Sequence, residues 1–437
     1  MDVENLKLYL KNRDYKQVGE CLRDVFAIKS DANGQRISAE FSKQLVDLLV
    51  EALTVASKES ADLLDESSKA LRNYALNSDT RGYLGNEGFL KLVVSIVESD
   101  SSKPNSPFRK YLFQLLLNIL TLNDEVVRKM YVTVYESICN YFLKDSSCLY
   151  ETSALIYNLT RYVELTDLKI ISRVISLYGN REETNEFLLF LMEKIICEDY
   201  FWKNYSAIEM NDRLTVLKVL RELLVKGDVV ISDACVQCLV KLFLNSTNVI
   251  FQVTNSDKMT YETSTAVEVL SALSSEKTYS KLIRGNKDIL ITAGVLLINL
   301  HKLGKISNNC LTPIQKLKEV QRPNHDIREN PFFCFKADLI RLIGNVCWRD
   351  RKMQDLAREA EVIPVLLDCC NIDANNPFII QWVILAVRNL CDNNPENQKF
   401  IASLRTEGTV SSALLEEFGL TLHSQGDETI RIVPLNR

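Results

Sequence analysis

Five apolar helical runs in this chain carry an asparagine near their end, and the intervals between them repeat. They are Ala70-Leu71-Arg72-Asn73, Leu116-Leu117-Asn118-Ile119-Leu120, Leu155-Ile156-Tyr157-Asn158-Leu159, Leu342-Ile343-Gly344-Asn345-Val346 and Ala386-Val387-Arg388-Asn389-Leu390. Each is followed by a polar turn and more apolar helical sequence. The steps are 45 residues from Asn73 to Asn118, 40 on to Asn158, and 44 from Asn345 to Asn389. A period of roughly 40–47 residues is that of armadillo and HEAT helix arrays. One such unit cannot bury its apolar face alone, so neighbours stack into a continuous core. The expected fold is an all-α, armadillo/HEAT-like solenoid superhelix, with Phe378–Leu404 as its clearest repeat.

Composition agrees with helices. Only 14 glycines and 9 prolines punctuate 437 residues, too few for the tight turns of a sheet-rich fold. Between Asn158 and Asn345 the marker is lost, but helical runs continue at 212–226, 232–244, 261–274 and 289–303, with Glu222 and Ala272 near the marker positions. Two segments break the pattern. Residues 304–330 are polar, carry Pro313 and Pro323, and exceed the ordinary length of a connection. They read as a loop with a short helix at 313–320, dividing an N-terminal array (1–305) from a C-terminal one (331–437) across a 306–330 linker. After Ser412, a helical turn at 414–418 precedes two alternating runs, 419–423 and 429–433, around Gln425-Gly426-Asp427. These read as a hairpin that caps the stack. Residues 1–30 read as one or two short helices before a turn at 31–34, and Asn376-Pro377 reads as a helix start.

The formal charge of −5 does not call for a nucleic-acid backbone as partner. No run of about 18 apolar residues is read as a bilayer span, so no membrane insertion is expected. The first residues lack an apolar secretory segment. The 12 cysteines sit among apolar helix positions, as small buried residues do in a reducing compartment.

Chemistry-bearing motifs are sparse. His301, His325 and His423 are far apart, which argues against a zinc site built on histidines. Cys235 and Cys238 have redox or metal spacing but no second pair, and read as helix-packing thiols, as do Cys369 and Cys370. Glu182-Glu183 and Glu416-Glu417 read as solvated helix faces. No phosphate-binding, dinucleotide or nucleophile-elbow motif occurs. No cofactor and no enzymatic activity are expected. The densest basic cluster is Arg341, Arg349, Arg351, Lys352 and Arg358. Interleaved acids favour local pairing there, with a phosphate or acidic-peptide site as the sharper alternative.

The marker asparagines admit two readings. An asparagine on the last helix of an armadillo repeat can hydrogen-bond an extended peptide, or it can join the repeat to its neighbour. Peptide-binding importin-type arrays place tryptophan four residues before the asparagine. Here Lys69, Gln114, Ala154, Arg341 and Leu385 occupy that position, which argues against a groove for cargo lysines. The candidate protein-binding residues are Arg341, Asn345, Trp348, Trp382, Arg388 and Asn389, with Asn73, Asn118 and Asn158 as repeat markers. Tryptophan and arginine are frequent interface anchors.

Residues 335–420 resemble the ataxin-10 family. The likeness is carried by Leu339-Ile340-Arg341-Leu342-Ile343-Gly344-Asn345, Ile363-Pro364, Cys370-Asn371-Ile372-Asp373, Asn376-Pro377-Phe378, Trp382-Val383-Ile384 and Arg388-Asn389-Leu390. Glu407-Gly408, Leu414-Leu415 and Phe418-Gly419 extend it. The resemblance implies a non-enzymatic, cytoplasmic scaffold or adapter. Its implied settings are neuronal survival, neurite growth, cytokinesis and cilia, at perinuclear, midbody, centrosome or basal-body locations. The partners it implies are signalling proteins, an O-linked N-acetylglucosamine transferase, and further copies of the chain in a homo-oligomer. A reading of another class is an exchange-factor-like regulator of a GTPase or glycosyltransferase.

Overall fold

The computed structural model describes residues 3–27, 39–59, 61–76, 78–99, 107–121, 124–180, 185–227, 229–245, 258–306, 309–315, 330, 332–404, 420–424 and 430–434. Among these, 22 α-helices and one two-stranded sheet form two compact units, Met1–Ile195 and Ile196–Arg437. The all-α repeat architecture holds in both.

In the first unit the helices are α1 (Val3–Lys11), α2 (Tyr15–Ala27), α3 (Ala39–Glu59), α4 (Ala61–Tyr74), α5 (Ser78–Leu84) and α6 (Glu87–Ser99). They continue with α7 (Pro107–Leu120), α8 (Asp124–Lys144), α9 (Leu149–Leu159), α10 (Leu168–Asn180) and α11 (Glu186–Cys197). Helices α4, α7 and α9 pack on one another in succession, backed by the row α3, α6, α8 and α10. The core between the rows is apolar, with Leu71, Leu112, Phe113, Leu116, Ile138, Phe142 and Leu155 almost fully buried.

The second unit repeats this two-row plan. Its helices are α12 (Asp199–Lys203), α13 (Met210–Lys226), α14 (Asp233–Asn245), α15 (Lys258–Leu273), α16 (Lys277–Ile283) and α17 (Lys287–Ile306). After these come α18 (Phe335–Val346), α19 (Arg351–Glu359), α20 (Val362–Asp368), α21 (Ile379–Cys391) and α22 (Pro395–Ser403). Here α13, α15, α18 and α21 pack in succession, backed by α12, α14, α17 and α20. Strands β1 (Leu420–Ser424) and β2 (Ile430–Pro434) pair antiparallel with Leu422 opposite Ile432, the hairpin its alternating pattern predicts.

Local signals fix several helix ends. Asp350 caps α19, accepting from the Lys352 and Met353 amides at 3.0 and 3.2 Å. Asn394 caps α22 through the Asn397 amide, with Pro395 in the first turn, where a missing N–H costs nothing. Gly227, at φ +79°, closes α13 in the left-handed conformation, which a Cβ disfavours.

Four expectations change. The polar turns after Asn73 and Asn345, and the one after Ala272, are not turns alone but contain the short helices α5, α19 and α16, which gives these units three helices. Pro377 does not open a helix: α21 starts at Ile379 after a left-handed Phe378, because the Asn376 carboxamide is spent on the Ala337 amide (3.3 Å). The boundary between compact units falls at 195/196, while residues 309–315 are bound into the second unit. Finally, Lys287–Ile306 is long and apolar enough to cross a membrane by length and composition. Its buried face, with Ile289, Leu290, Leu296, Leu297 and Leu300, belongs to the core against α18 and α20.

The turn at 31–34, Glu182, Glu183, residues 316–320 of the expected short helix, His325, and the stretch 405–419 with Glu416 and Glu417 lie outside the described residues, as does the hairpin turn 425–427.

Candidate functional site

An α-helix leaves its last carbonyls without intrahelical partners. At the end of α4, the Leu71 and Asn73 carbonyls accept from the Ala75 and Leu76 amides. The Arg72 carbonyl between them accepts from Asn118 Nδ2, one repeat on, at 3.1 Å. The end of α18 is built identically. The Ile343 and Asn345 carbonyls accept from Cys347 and Trp348, and the Gly344 carbonyl accepts from Asn389 Nδ2 at 2.9 Å. Between α15 and α18 a hydroxyl relays the bond: Asn345 Nδ2 donates to Ser274 Oγ (2.9 Å), which donates to the Ser271 carbonyl (2.6 Å). Asn158 departs from the rule and bonds the Ala154 carbonyl of its own helix, while Arg161 donates to its Oδ1. Asn345 and Asn389 are buried. Their amide donors are spent on joining repeats.

A second register runs along the same helices. The side chain four residues before each marker meets the one seven residues before the next. Lys69 Nζ lies 6.0 Å from the Tyr111 ring, with Arg72 on the same ring at 4.8 Å. Gln114 Nε2 donates to Glu151 Oε1 at 2.9 Å. Arg341 stacks on Trp382 at 4.8 Å and donates to Ser275 Oγ at 3.0 Å. Four residues before Asn73, Asn118 and Asn345 the position is thus filled by groups that bridge repeats, whereas Ala154 and Leu385 before Asn158 and Asn389 are aliphatic. At the remaining junction the pair is Glu268 and Asp338, with Ala272 in the marker position. Burial, and then the like charge of Glu268, push the Asp338 carboxyl up to about 7. Ser271 Oγ donates to Asp338 Oδ1 at 3.1 Å, and Glu268 pairs with Arg221 at 3.4 Å. None of these pairs was read from the sequence, although the fixed offsets from the asparagines would have found them.

The other predicted residues divide. Arg351 pairs with Asp355 (3.1 Å) and Glu396, and Arg358 with Asp355 (2.9 Å), as the interleaved acids predict. Arg388 is exposed on α21, beside the exposed Ile384. Trp348, 36% exposed, is flanked by Arg284 at 4.5 Å and Arg349 at 4.9 Å. The structure therefore brings Arg341 and Trp382 together and joins Asn389 to the helix of Asn345.

The segment 309–315 is held by polar groups of the second unit. Lys336, only 4% exposed, donates through Nζ to the Leu311 carbonyl at 3.0 Å. Asp373 Oδ1 accepts from the Ile314 amide (3.0 Å), the Ala374 amide donates to the Ile314 carbonyl (2.8 Å), and Asn375 Nδ2 donates to the Thr312 carbonyl (3.0 Å). These contacts reach main-chain atoms. They explain why the segment belongs to this unit despite its polar sequence.

The cysteines behave as packing residues. Burial pushes the Cys238 thiol up to about 11 and Cys235 well above its usual range, away from the thiolate that reactivity requires. Among the described residues no three His, Cys, Asp or Glu side chains converge as metal ligands. Two open depressions, of about 360 and 340 Å³, lie beside α14 and between α4 and α7, and neither gathers a nucleophile, base and oxyanion donor.

Residues 335–433 match the family model described as the spinocerebellar ataxia type 10 protein domain. Ataxin-10 of Bos taurus is 25% identical over 393 residues, covering 85% of this chain and 82% of that protein. Ataxin-10 of Homo sapiens is 27% identical over 330 residues, 72% of this chain and 69% of its own. The ataxin-10 homolog of Dictyostelium discoideum is 40% identical over 97 residues, 22% of this chain and 16% of its own. Similarity is thus spread thinly along the chain and concentrated where Lys336, Asp373, Asn375 and the Asn345–Asn389 rungs lie, and what the chain is similar to throughout is ataxin-10, whose family domain matches residues 335–433.

Proposed function

We propose that the protein is a non-enzymatic scaffold that holds other proteins on its helical repeats, and that α21 supplies one docking face. The observation that carries this reading is the outward side of α21. Phe378 is 71% exposed and Ile384 62% exposed, with Gln381 and Arg388 exposed beside them. Large apolar side chains exposed at the start of a helix and along it, with polar ones beside them, are what a protein partner covers. The asparagine of the same helix is turned inward, so recognition there rests on side-chain shape and apolar area.

The family supports the finer parts of the proposal. The cellular settings are neuronal survival, neurite growth, cytokinesis and cilia, in the cytoplasm, around the nucleus, at the midbody and at centrosomes or basal bodies. The partners are signalling proteins, an O-linked N-acetylglucosamine transferase and further copies of the chain.

A photo-crosslinking residue at Ile384, compared with one at the exposed Val132 of α8, tests the docking face in cells. A discrete set of proteins crosslinked from 384 only, and lost when Gln381→Glu and Arg388→Glu are added, is the expected result. Equal labelling from both positions would sink it. Acceleration of nucleotide release from a purified GTPase at substoichiometric protein would replace the scaffold with the regulator.

A further inference from the structure

Arg284 and Arg349 approach the same indole. Their guanidinium carbons lie 4.5 and 4.9 Å from the Trp348 ring, so two full positive charges share one small surface. Among the described residues neither forms an ion pair with a carboxylate. The neighbouring Asp350 commits Oδ1 to capping α19 and forms no ion pair with either guanidinium. Two guanidiniums on one indole with no carboxylate partner carry positive charge that an added anion can meet.

Two further observations mark the place. Arg284 Nε is buried without a hydrogen-bond partner, as is Arg81 Nε at the corresponding place in the first unit, so what separates the two arginines is the acceptor that the end of each guanidinium finds. Arg349 is held at φ +54°, a left-handed conformation that costs a non-glycine residue energy and clusters at binding sites. The first unit supplies the contrast. There Arg81 reaches the residue three past the marker, Thr121, and donates to its hydroxyl. In the second unit that position is Trp348, which offers a π face and no acceptor oxygen. The arginine stacks, and its N–H groups are left to find an acceptor elsewhere.

We infer that Arg284, Trp348 and Arg349 form a binding site for a phosphorylated segment of a partner protein. Two guanidiniums match the roughly −1.5 to −2 charge of a phosphoserine or phosphothreonine and can each present two parallel N–H donors to its oxygens. The half-exposed indole offers an apolar wall to the peptide beside the phosphate. The inference deepens the scaffold reading by naming the chemistry of one partner, and rests on it only in taking that partner to be a protein.

The test uses the full chain and three synthetic nine-residue Gly/Ser peptides that differ at one central position: phosphoserine, glutamate and serine. Binding is followed by titration calorimetry and by Trp348 fluorescence, with Trp348→Phe assigning the signal. The phosphoserine peptide is expected to bind at least about tenfold more tightly than the serine peptide and to weaken as salt rises. Arg349→Gln, at an exposed position, should cost at least about fivefold, and Arg284→Gln the same with helix content and melting temperature unchanged. Equal binding of the phosphoserine and serine peptides, or unaltered affinity in Arg349→Gln, overturns the site. Glutamate binding as tightly as phosphoserine overturns the phosphate assignment. Crosslinking from Ile384 is independent of these residues, so failure here leaves the scaffold reading standing, and failure there leaves this site standing.

Discussion

Asn389 donates its side-chain amide to the carbonyl of Gly344, 2.9 Å away on the preceding repeat. Gly344 is glycine for the same reason. A Cβ there would lie 2.9 Å from Ala386 Cα and 3.1 Å from its Cβ, so only a bare backbone lets α18 and α21 close to the distance the bond needs. Asn118 and Arg72 repeat the bond without the close approach.

Removing either partner should loosen the second unit. Asn389→Ala leaves a buried carbonyl unpaired and should cost about 1–3 kcal/mol. Gly344→Ala should cost a similar ~1–3 kcal/mol through overpacking against Ala386. Because both act on one junction, the double variant should lose less than the sum of the two. Urea unfolding followed by circular dichroism checks this, and full additivity would show that the two residues do not act on one contact.

The Glu268–Asp338 pair gives the second unit a pH dependence. Asp338 titrates near 7 when folded, against 3.8 for the free side chain. The folded chain therefore binds this proton more tightly than the unfolded one. Stability is greatest below the unfolded value, falls as pH rises toward 7, and levels off above it. His301 is held below its usual 6.5, first by burial and then by Lys305 and Lys336. Its slope is opposite in sign and confined to lower pH. Melting temperature should therefore fall between pH 6.5 and 8, and Asp338→Asn should flatten that slope and raise the value at pH 8. At this size each kcal/mol corresponds to roughly 2–4 °C. A slope unchanged in Asp338→Asn would assign the titration to another group.

Lys336 holds the 309–315 segment at a desolvation cost. Burial lowers its pKa, an effect that Asp373 partly offsets. Lys336→Met keeps the aliphatic stem and removes both the charge and the bond to the Leu311 carbonyl. Global stability should change by less than about 1 kcal/mol, since an apolar replacement of a buried ion is often neutral. Amide exchange over 309–315 should quicken, because the segment loses one of its few ties. Unaltered exchange there, with intact fold, would mean that Asp373 and Asn375 suffice.

The sequence by itself determined the helices and their period. The spacing of apolar residues and the recurrence of asparagine at 40–45 residues specify helices that must stack, and Phe335–Leu404 carries enough detail to point to the family. The alternating runs near the end specify a hairpin for the same reason, since period two has one solution. What the asparagines do was beyond it, because the acceptor of Asn389 is a backbone carbonyl 45 residues away, and backbone atoms leave no mark on composition. The same holds for the segment at 309–315, whose partners contact its main chain and so place no demand on its side chains. The pairing of positions four and seven before each marker, the crowding of Glu268 against Asp338, and the convergence of Arg284 and Arg349 on Trp348 come from how one repeat is seated on the next. That seating was decided only by the tertiary structure, through helix-to-helix distances that a close glycine permits and a row of buried amides holds in register.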